Sequence, residues 1–598
     1  MRNLHAHRRW ALGLALALLL PILAACGGQP STGGNTTAAT AAAPSGDTAP
    51  TAAPAATAEP APTVAASEAT SAPASTGDGN TLRIADFTWP DTLAPQKASF
   101  ANEIAILQQT YEGLTRYDKD LKTVPAAAEK WQYNADATQV TFTLRDGLKY
   151  SDGSPLVAQD FVNAVYRVLD PHAPGDYQTL LFMIKGAEDI INTEVPTDEA
   201  KLPDLYKALG VKATDDKTIS FDLTQPTPYF HTLTATWVMY PAKQDLIDKG
   251  GETWYEDVAN QVGNGPWKMV TMDKSANTIE FVANENYWAG RPKVDRLQVK
   301  YIDDLAVALQ AYKNNEIDIV APDPNDVPSL KADPVLSKEY SEYAGACTNT
   351  VSFNLTKPPF DNKKVREAFA YGFDRAGYDR DALKDTEVPT LTWIPPGYPG
   401  YDQAEQRYSY DPAKAKQLLA EAGFPNGAGL PELKWSYNSN NPANQARIEY
   451  IIQMYQKSLG VTIIPDPVEG TTLTNLRKSN ETYPQITTSG WCADYPDQQN
   501  WLSVYWQSST NFAKNTAYKN AEVDKLLAQA DIDTDPARRA QLYDQAQKLV
   551  VGDLGEIMRG VTKNTYLIKP YVKGLDFTPQ DSDWPGQITG MTNVTITK

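Results

Sequence analysis

The pattern of apolar and polar positions marks out a folded body beginning near Thr81. TLRIADF, opening at Thr81, alternates apolar and polar residues and predicts a strand. TISFDL from Thr218 and TIEFVAN from Thr278 read the same way, each followed by turn residues. QVTFTLRDGLKYSDGSPL, from Gln139, alternates and then breaks at Asp146-Gly147 and Asp152-Gly153, which is a hairpin signal. Helical spacing appears from Glu103 to Leu114 and from Ala158 to Leu169, where Val162, Val165, Tyr166 and Leu169 share a face. Further helices are predicted over Val365–Phe373, Pro412–Ala422 and Ala443–Leu459. The last follows Asn440-Asn441-Pro442 and meets a stop at Gly460. NAEVDKLLAQA and PARRAQLYDQAQKLVVGD predict two more late helices. Strands and helices are mixed without strict alternation, and no internal repeat is evident.

Before Thr81 the pattern disappears. Gly27 to about Gly79 is Ala, Thr, Pro, Ser and Gly with almost no large apolar residue. Such a segment buries too little surface to offset its ordering entropy, so a disordered tether is expected. Ahead of it, Arg2, Arg8 and Arg9 form a positive end, and Trp10 to Leu20 a short apolar run. Leu23-Ala24-Ala25-Cys26 resembles a bacterial lipobox. The resemblance implies a signal peptide over 1–25 and a diacylglycerol on Cys26, anchoring the body to the membrane from outside the cytoplasm. An ordinary signal peptide with an incidental cysteine is the alternative; the flanks of Arg8-Arg9 fit twin-arginine export poorly. No later stretch is apolar enough to span a membrane.

A length of 598 residues exceeds one ordinary core and predicts two or three domains. The 54 Lys and Arg against 73 Asp and Glu give a net charge of -19, leaving no basic excess to meet phosphates. Nucleic acid is therefore not an expected partner. Acidity keeps an exported protein soluble; attraction of cationic ligands is the rival explanation. Beyond the signal segment only His172 and His231 remain, without metal-ligand spacing, and HExxH, GxSxG and P-loop patterns are absent from the sequence. No metal, cofactor or enzymatic activity is expected, although a paired-carboxylate hydrolase leaves no local signature to exclude.

YEGLTRYDKDLKTVPAAAEKW, from Tyr111, is followed by FTLRDGLKYSDGSPLVAQDFVNAVYRVLDP, GNGPWKM, NENYW, VSFNLTKPPFDNKKVREAFAYGFDR and GWCADYPDQQNWL. Together, and in this order, they resemble the solute-binding proteins of peptide and nickel ABC importers, above all the periplasmic oligopeptide-binding proteins. The likeness covers nearly all of the chain after the tether. It implies a three-domain α/β fold of two lobes closing like a flytrap, with mixed sheets. One lobe would comprise 80–112, 264–346 and 571–598; an accessory domain, 113–263; the other lobe, 347–570. The chain would cross between lobes near 346 and 570.

The resemblance also implies roles for residues. Cys347 and Cys492 match a cysteine pair and are expected to form a disulfide; two buried thiols are the alternative. Asp494, by residue type alone a helix cap or half of a salt bridge, matches the aspartate that pairs with a ligand α-ammonium. It would share a face with Cys492 if the strand stays extended. The backbone near Gly490 and Cys492, and Ser99-Phe100-Ala101 opposite, match segments that bond an extended peptide by strand addition. Trp491 and Tyr177 match aromatic positions of the cleft, core packing being the other reading. Arg477 matches an arginine that would meet a peptide carboxylate, a solvated surface arginine being the other reading. Gly470 stands where relatives carry a pocket tryptophan, and Thr488 where they carry an arginine, so the pocket differs. The expected function is capture of short peptides, by a monomer, for delivery to an ABC importer permease with its ATPases. An oligosaccharide or other small solute is the rival ligand, and a cell-surface hydrolase the rival class.

Overall fold

The computed structural model describes residues 80–597. The signal segment, Cys26 and the tether up to 79 lie outside the described residues.

One mixed sheet of eleven strands organises the body. In spatial order it runs Ile463–Val468, Leu433–Asn438, Ile486–Cys492, Tyr340–Phe353, Glu556–Ile568, Ile319–Val320, Thr81–Asp86, Arg296–Tyr301, Thr278–Ala283 and Trp267–Asp273. Glu387–Pro389 adds alongside Glu556–Ile568. Two long antiparallel strands, Tyr340–Phe353 and Glu556–Ile568, carry the chain between the halves of this sheet. Their register slips between Ala344 and Thr348. Apolar residues gather in separate cores on either side. One takes Leu82, Ile84, Phe142, Trp267, Val299 and Trp584; another takes Val351, Phe369, Trp435, Ile451 and Ile557.

The strand Thr81–Asp86 lies parallel to both Arg296–Tyr301 and Ile319–Val320. Its last three residues are buried, as an interior parallel strand requires. The helix over Ala158–Leu169 has the predicted limits and buries Val162, Val165 and Leu169 with Phe161 and Val168. Tyr166 stays half-buried, its ring 5.0 Å from that of Tyr206. The helix Pro442–Leu459 starts under the side chain of Asn441, which accepts from the Ala443 N–H, and ends at Gly460, where φ is 74°.

Two expectations changed. The helix predicted over 103–114 spans Ala101–Thr110. Glu103 turns back to accept from the N–H groups of Ser99 and Phe100 (2.8 and 3.0 Å), so the helix starts earlier. It stops at Thr110 because the 263–265 loop packs there, with the Gly265 N–H donating to the Thr110 carbonyl at 2.9 Å. A Cβ on Gly263 would lie 1.9 Å from that same oxygen. The hairpin predicted over 139–156 is only partly local. Gln139–Leu144 pairs with Ala128–Tyr133 and with Thr218–Asp222 in a four-stranded antiparallel sheet. Val140, Phe142 and Leu144 are buried there. Asp146-Gly147 and Asp152-Gly153 are both turns, but only the second closes a local strand pair, the bridge of Lys149 to Pro155.

Candidate ligand-binding site

The strand Ile486–Cys492 pairs along its length with Tyr340–Phe353, from Ile486 opposite Phe353 to Cys492 opposite Cys347. Its other edge meets Leu433–Asn438 only at Ile486, opposite Trp435. From Thr488 to Cys492 that edge has no ladder partner among the described residues. Gly490 is dictated by packing, since a Cβ there would lie 2.6 Å from the Thr348 carbonyl oxygen. Cys347 and Cys492, facing each other in register, are joined as a disulfide with S–S 2.04 Å.

This edge borders a cavity of about 670 Å³ that is also lined by Trp491, Arg477, Arg447, Gly470 and Tyr378. Glu387 and Arg559 form an ion pair in its wall, and Asn349 donates to the same carboxylate at 3.0 Å. Arg477, following the helix Gly470–Leu476, donates to Ser489 Oγ at 2.9 Å. Ser489 lies 3.2 Å from the Tyr505 hydroxyl, which donates to Glu556 at 3.0 Å. Thr350 donates to the other Glu556 oxygen at 2.6 Å. Burial pushes the Glu556 carboxyl up, while its hydrogen bonds and the Arg477 charge oppose that shift. Trp491 lies edge-on to Tyr505 and Phe512, with its Nε1–H donating to Asn500 at 3.0 Å.

Asp494 lies outside that cavity, beyond the end of the strand. The strand stops at Cys492, so the extended spacing expected to put both side chains on one face is not kept. Asn500 holds the aspartate from both sides: its Nδ2 donates to Asp494 Oδ2 at 2.9 Å and its Oδ1 accepts from the Asp494 N–H at 3.2 Å. Loss of hydration pushes the Asp494 carboxyl up to about 6, against the lowering effects of Asn500 and the Tyr177 hydroxyl. No cationic side chain among the described residues offsets that rise. Tyr177 comes from the 113–263 region and is itself pushed up to about 12, first by burial and then by the Asp494 charge.

Tyr177 packs edge-on against Trp237 at 4.8 Å, and the Trp237 Nε1–H donates to the Ala98 carbonyl at 2.8 Å. Ala98, just before Ser99, is thus linked through Trp237 to Tyr177, whereas Ser99 and Ala101 do not line the 670 Å³ cavity. The Ser99 N–H is engaged by Glu103. Phe100 between them is 61% exposed. A second contact joins the same regions: Arg539, paired with Asp497 at 2.7 Å, lies over the Tyr229 ring at 4.8 Å.

The sequence profile of the bacterial extracellular solute-binding proteins, family 5, matches residues 122–513. The chain belongs to this family. It is 30% identical to the oligopeptide-binding protein OppA of Bacillus subtilis over 485 residues, 79% of this chain and 86% of that protein. It is 30% identical to the periplasmic oligopeptide-binding protein OppA of Salmonella typhimurium, covering 86% and 93%. Among solved structures, Haemophilus influenzae OppA in complex with the peptide RPPGFSPFR matches with a TM-score of 0.65 and 27% identity, covering 87% of this chain and all (100%) of the other. The α/β fold with mixed sheets is thus that of the OppA-type two-lobed binding proteins, and the chain is an extracytoplasmic binding protein by family.

Set in this family, the site contains residues that sequence reasoning missed: Arg447, the Glu387–Arg559 pair, Asn349 and Lys563, all lining the cavity. Arg447 sits on the helix Pro442–Leu459 in a run, ARIEY, that reads as an ordinary solvated helix face. Glu387 and Arg559 are 172 residues apart in sequence, so nothing local announces their pairing. Gly470, noted only as a departure from relatives, faces the cavity beside Asn438, whose Nδ2 a Cβ there would meet at 3.0 Å.

Proposed function

We propose that this protein captures short peptides with a free amino terminus between its lobes and delivers them to an ABC importer permease. The observation that carries this reading is the strand edge at 488–492, without a ladder partner among the described residues, ending beside a half-buried carboxylate that has no cationic side-chain partner among them. A peptide added to that edge satisfies its main-chain groups and needs no particular side chains. Its α-ammonium meets Asp494, a buried-type charge pair whose disruption is costly, on the order of 3–5 kcal/mol. Its carboxylate meets Arg477, already oriented by Ser489. Residues 489 to 494 span at most roughly 17 Å of extended chain, the reach of about four to five peptide residues. Trp491 and Tyr177 border the cleft from the two sides.

Opposite charges at separate stations favour a zwitterion over a neutral oligosaccharide. The binding proteins of this family bind solutes, and capture without turnover fits a site whose polar groups hold charge in place. In the proposed cycle the lipid on Cys26 keeps the monomer on the cell membrane, in the periplasm or on the outer face of the cell, the 80–112, 264–346 and 571–598 lobe closes on the 347–570 lobe, and the loaded form docks on the permease. Affinity for one tripeptide, free and N-acetylated, tests the reading. The free form binds at least about 100-fold more tightly; equal affinities overturn the role of Asp494.

A further inference from the structure

The cavity beside the strand edge carries more positive charge than a peptide's single terminal carboxylate requires. Three of its cationic side chains have compensation. Arg559 pairs with Glu387. Arg477 bonds Ser489 and faces the charge of Glu556. Lys563 donates to the Asp385 carbonyl at 2.9 Å and lies near the charges of Glu342 and Asp379. Arg447 is different. It lines the cavity, is only half-buried, and has neither a hydrogen-bond partner nor an ion pair among the described residues. Its electrostatic influence falls on Tyr378, another lining residue. Gly470 lines the same cavity, and the Asn438 Nδ2 beside that glycine donates to nothing among the described residues. All this occurs in a chain of net charge -19, so a local positive cavity runs against the protein's overall field.

We infer that this cavity selects ligands carrying an acidic side chain, whose carboxylate Arg447 receives with the help of the Asn438 amide. The inference rests on the peptide reading above and adds a second anion to it. A guanidinium offers a planar fork of donors that a carboxylate accepts in pairs, and a glutamine side chain of the same shape accepts only through one oxygen. A charge-assisted pair in a partly dehydrated cavity discriminates acid from amide by about ten-fold or more. Arg477 then takes the terminal carboxylate, and Arg447 sets which peptides fill the cavity.

The test is calorimetric titration of tetrapeptides with free amino termini, with one glutamate moved through positions two to four of an alanine background, each matched by its glutamine counterpart. The wild-type protein binds the glutamate form at one position at least about ten-fold more tightly than its glutamine partner. In Arg447→Met that ratio falls below about two-fold; both affinities are read on the same variant, so a general loss of binding cancels in the ratio. Raising the salt concentration narrows the wild-type ratio. Equal affinities for glutamate and glutamine at every position overturn this inference alone, as does a preference that persists in Arg447→Met. Failure of every free-amino peptide to bind overturns the peptide reading together with it.

Discussion

Asp494 concentrates the chemistry of the site in one carboxyl group. Its usual value of 3.8 rises to about 6 in the fold, because burial removes water and Asn500 supplies only hydrogen bonds. A group raised in this way contributes stability that is full below 3.8 and is lost as pH rises past about 6. Asp494→Asn is therefore expected to raise the thermal midpoint of the unliganded protein at pH 7 relative to wild type, with the gain fading near pH 4. Ligand affinity runs the other way. An ammonium needs the ionised form, so peptide affinity falls by about ten-fold per unit as pH drops below about 6. Asp494→Asn flattens that profile and binds more weakly at pH 7. A wild-type affinity independent of pH from 7 to 5 contradicts the assignment. This residue was legible in the sequence only through the motif it belongs to. Arg447 was not legible at all, because a helix arginine gives no sign of whether it faces water or a cavity.

At the scale of elements, the strand Ile486–Cys492 is held at its exit by the disulfide to Cys347 and left open on its other edge. The bridge closes a sequence separation of 145 residues, and chain entropy for such a loop corresponds to about 4–5 kcal/mol. Replacing both cysteines by serine is expected to lower the thermal midpoint markedly and to weaken peptide binding, because Asp494 lies two residues beyond the bridge. Unchanged stability between oxidised and reduced wild type, read by denaturant titration, counts against a structural role. Elements with strong local signals were readable: the helix over Ala158–Leu169 from its periodicity, and the end of Pro442–Leu459 from Gly460. Where the outcome depended on distant chain, local reading missed it. Gln139–Leu144 found partners at 128–133 and 218–222, and the helix before Tyr111 ended where the 263–265 loop arrived.

At the scale of the molecule, two long strands connect the halves of one sheet, and distant parts of the chain meet at Asp494 with Tyr177 and at Arg539 over Tyr229. We expect these contacts to weigh the balance between lobes apart and lobes together. Tyr229→Ala removes the ring under Arg539 without touching the cavity. It is expected to weaken peptide affinity by roughly two- to ten-fold, as a cation–π contact of ~0.5–1 kcal/mol or more would, and to expand the loaded protein in solution scattering. A loaded form as compact as wild type, with unchanged affinity, removes this contact from the account. The two-lobed fold was legible from the order of motifs along the chain; these contacts were not, since each joins residues hundreds of positions apart.

The most direct test of the central claim is to purify the protein under native conditions, denature it, and identify by mass spectrometry whatever it releases. A mixed set of short peptides with free amino termini is expected. Release of a single sugar or another non-peptide solute contradicts it.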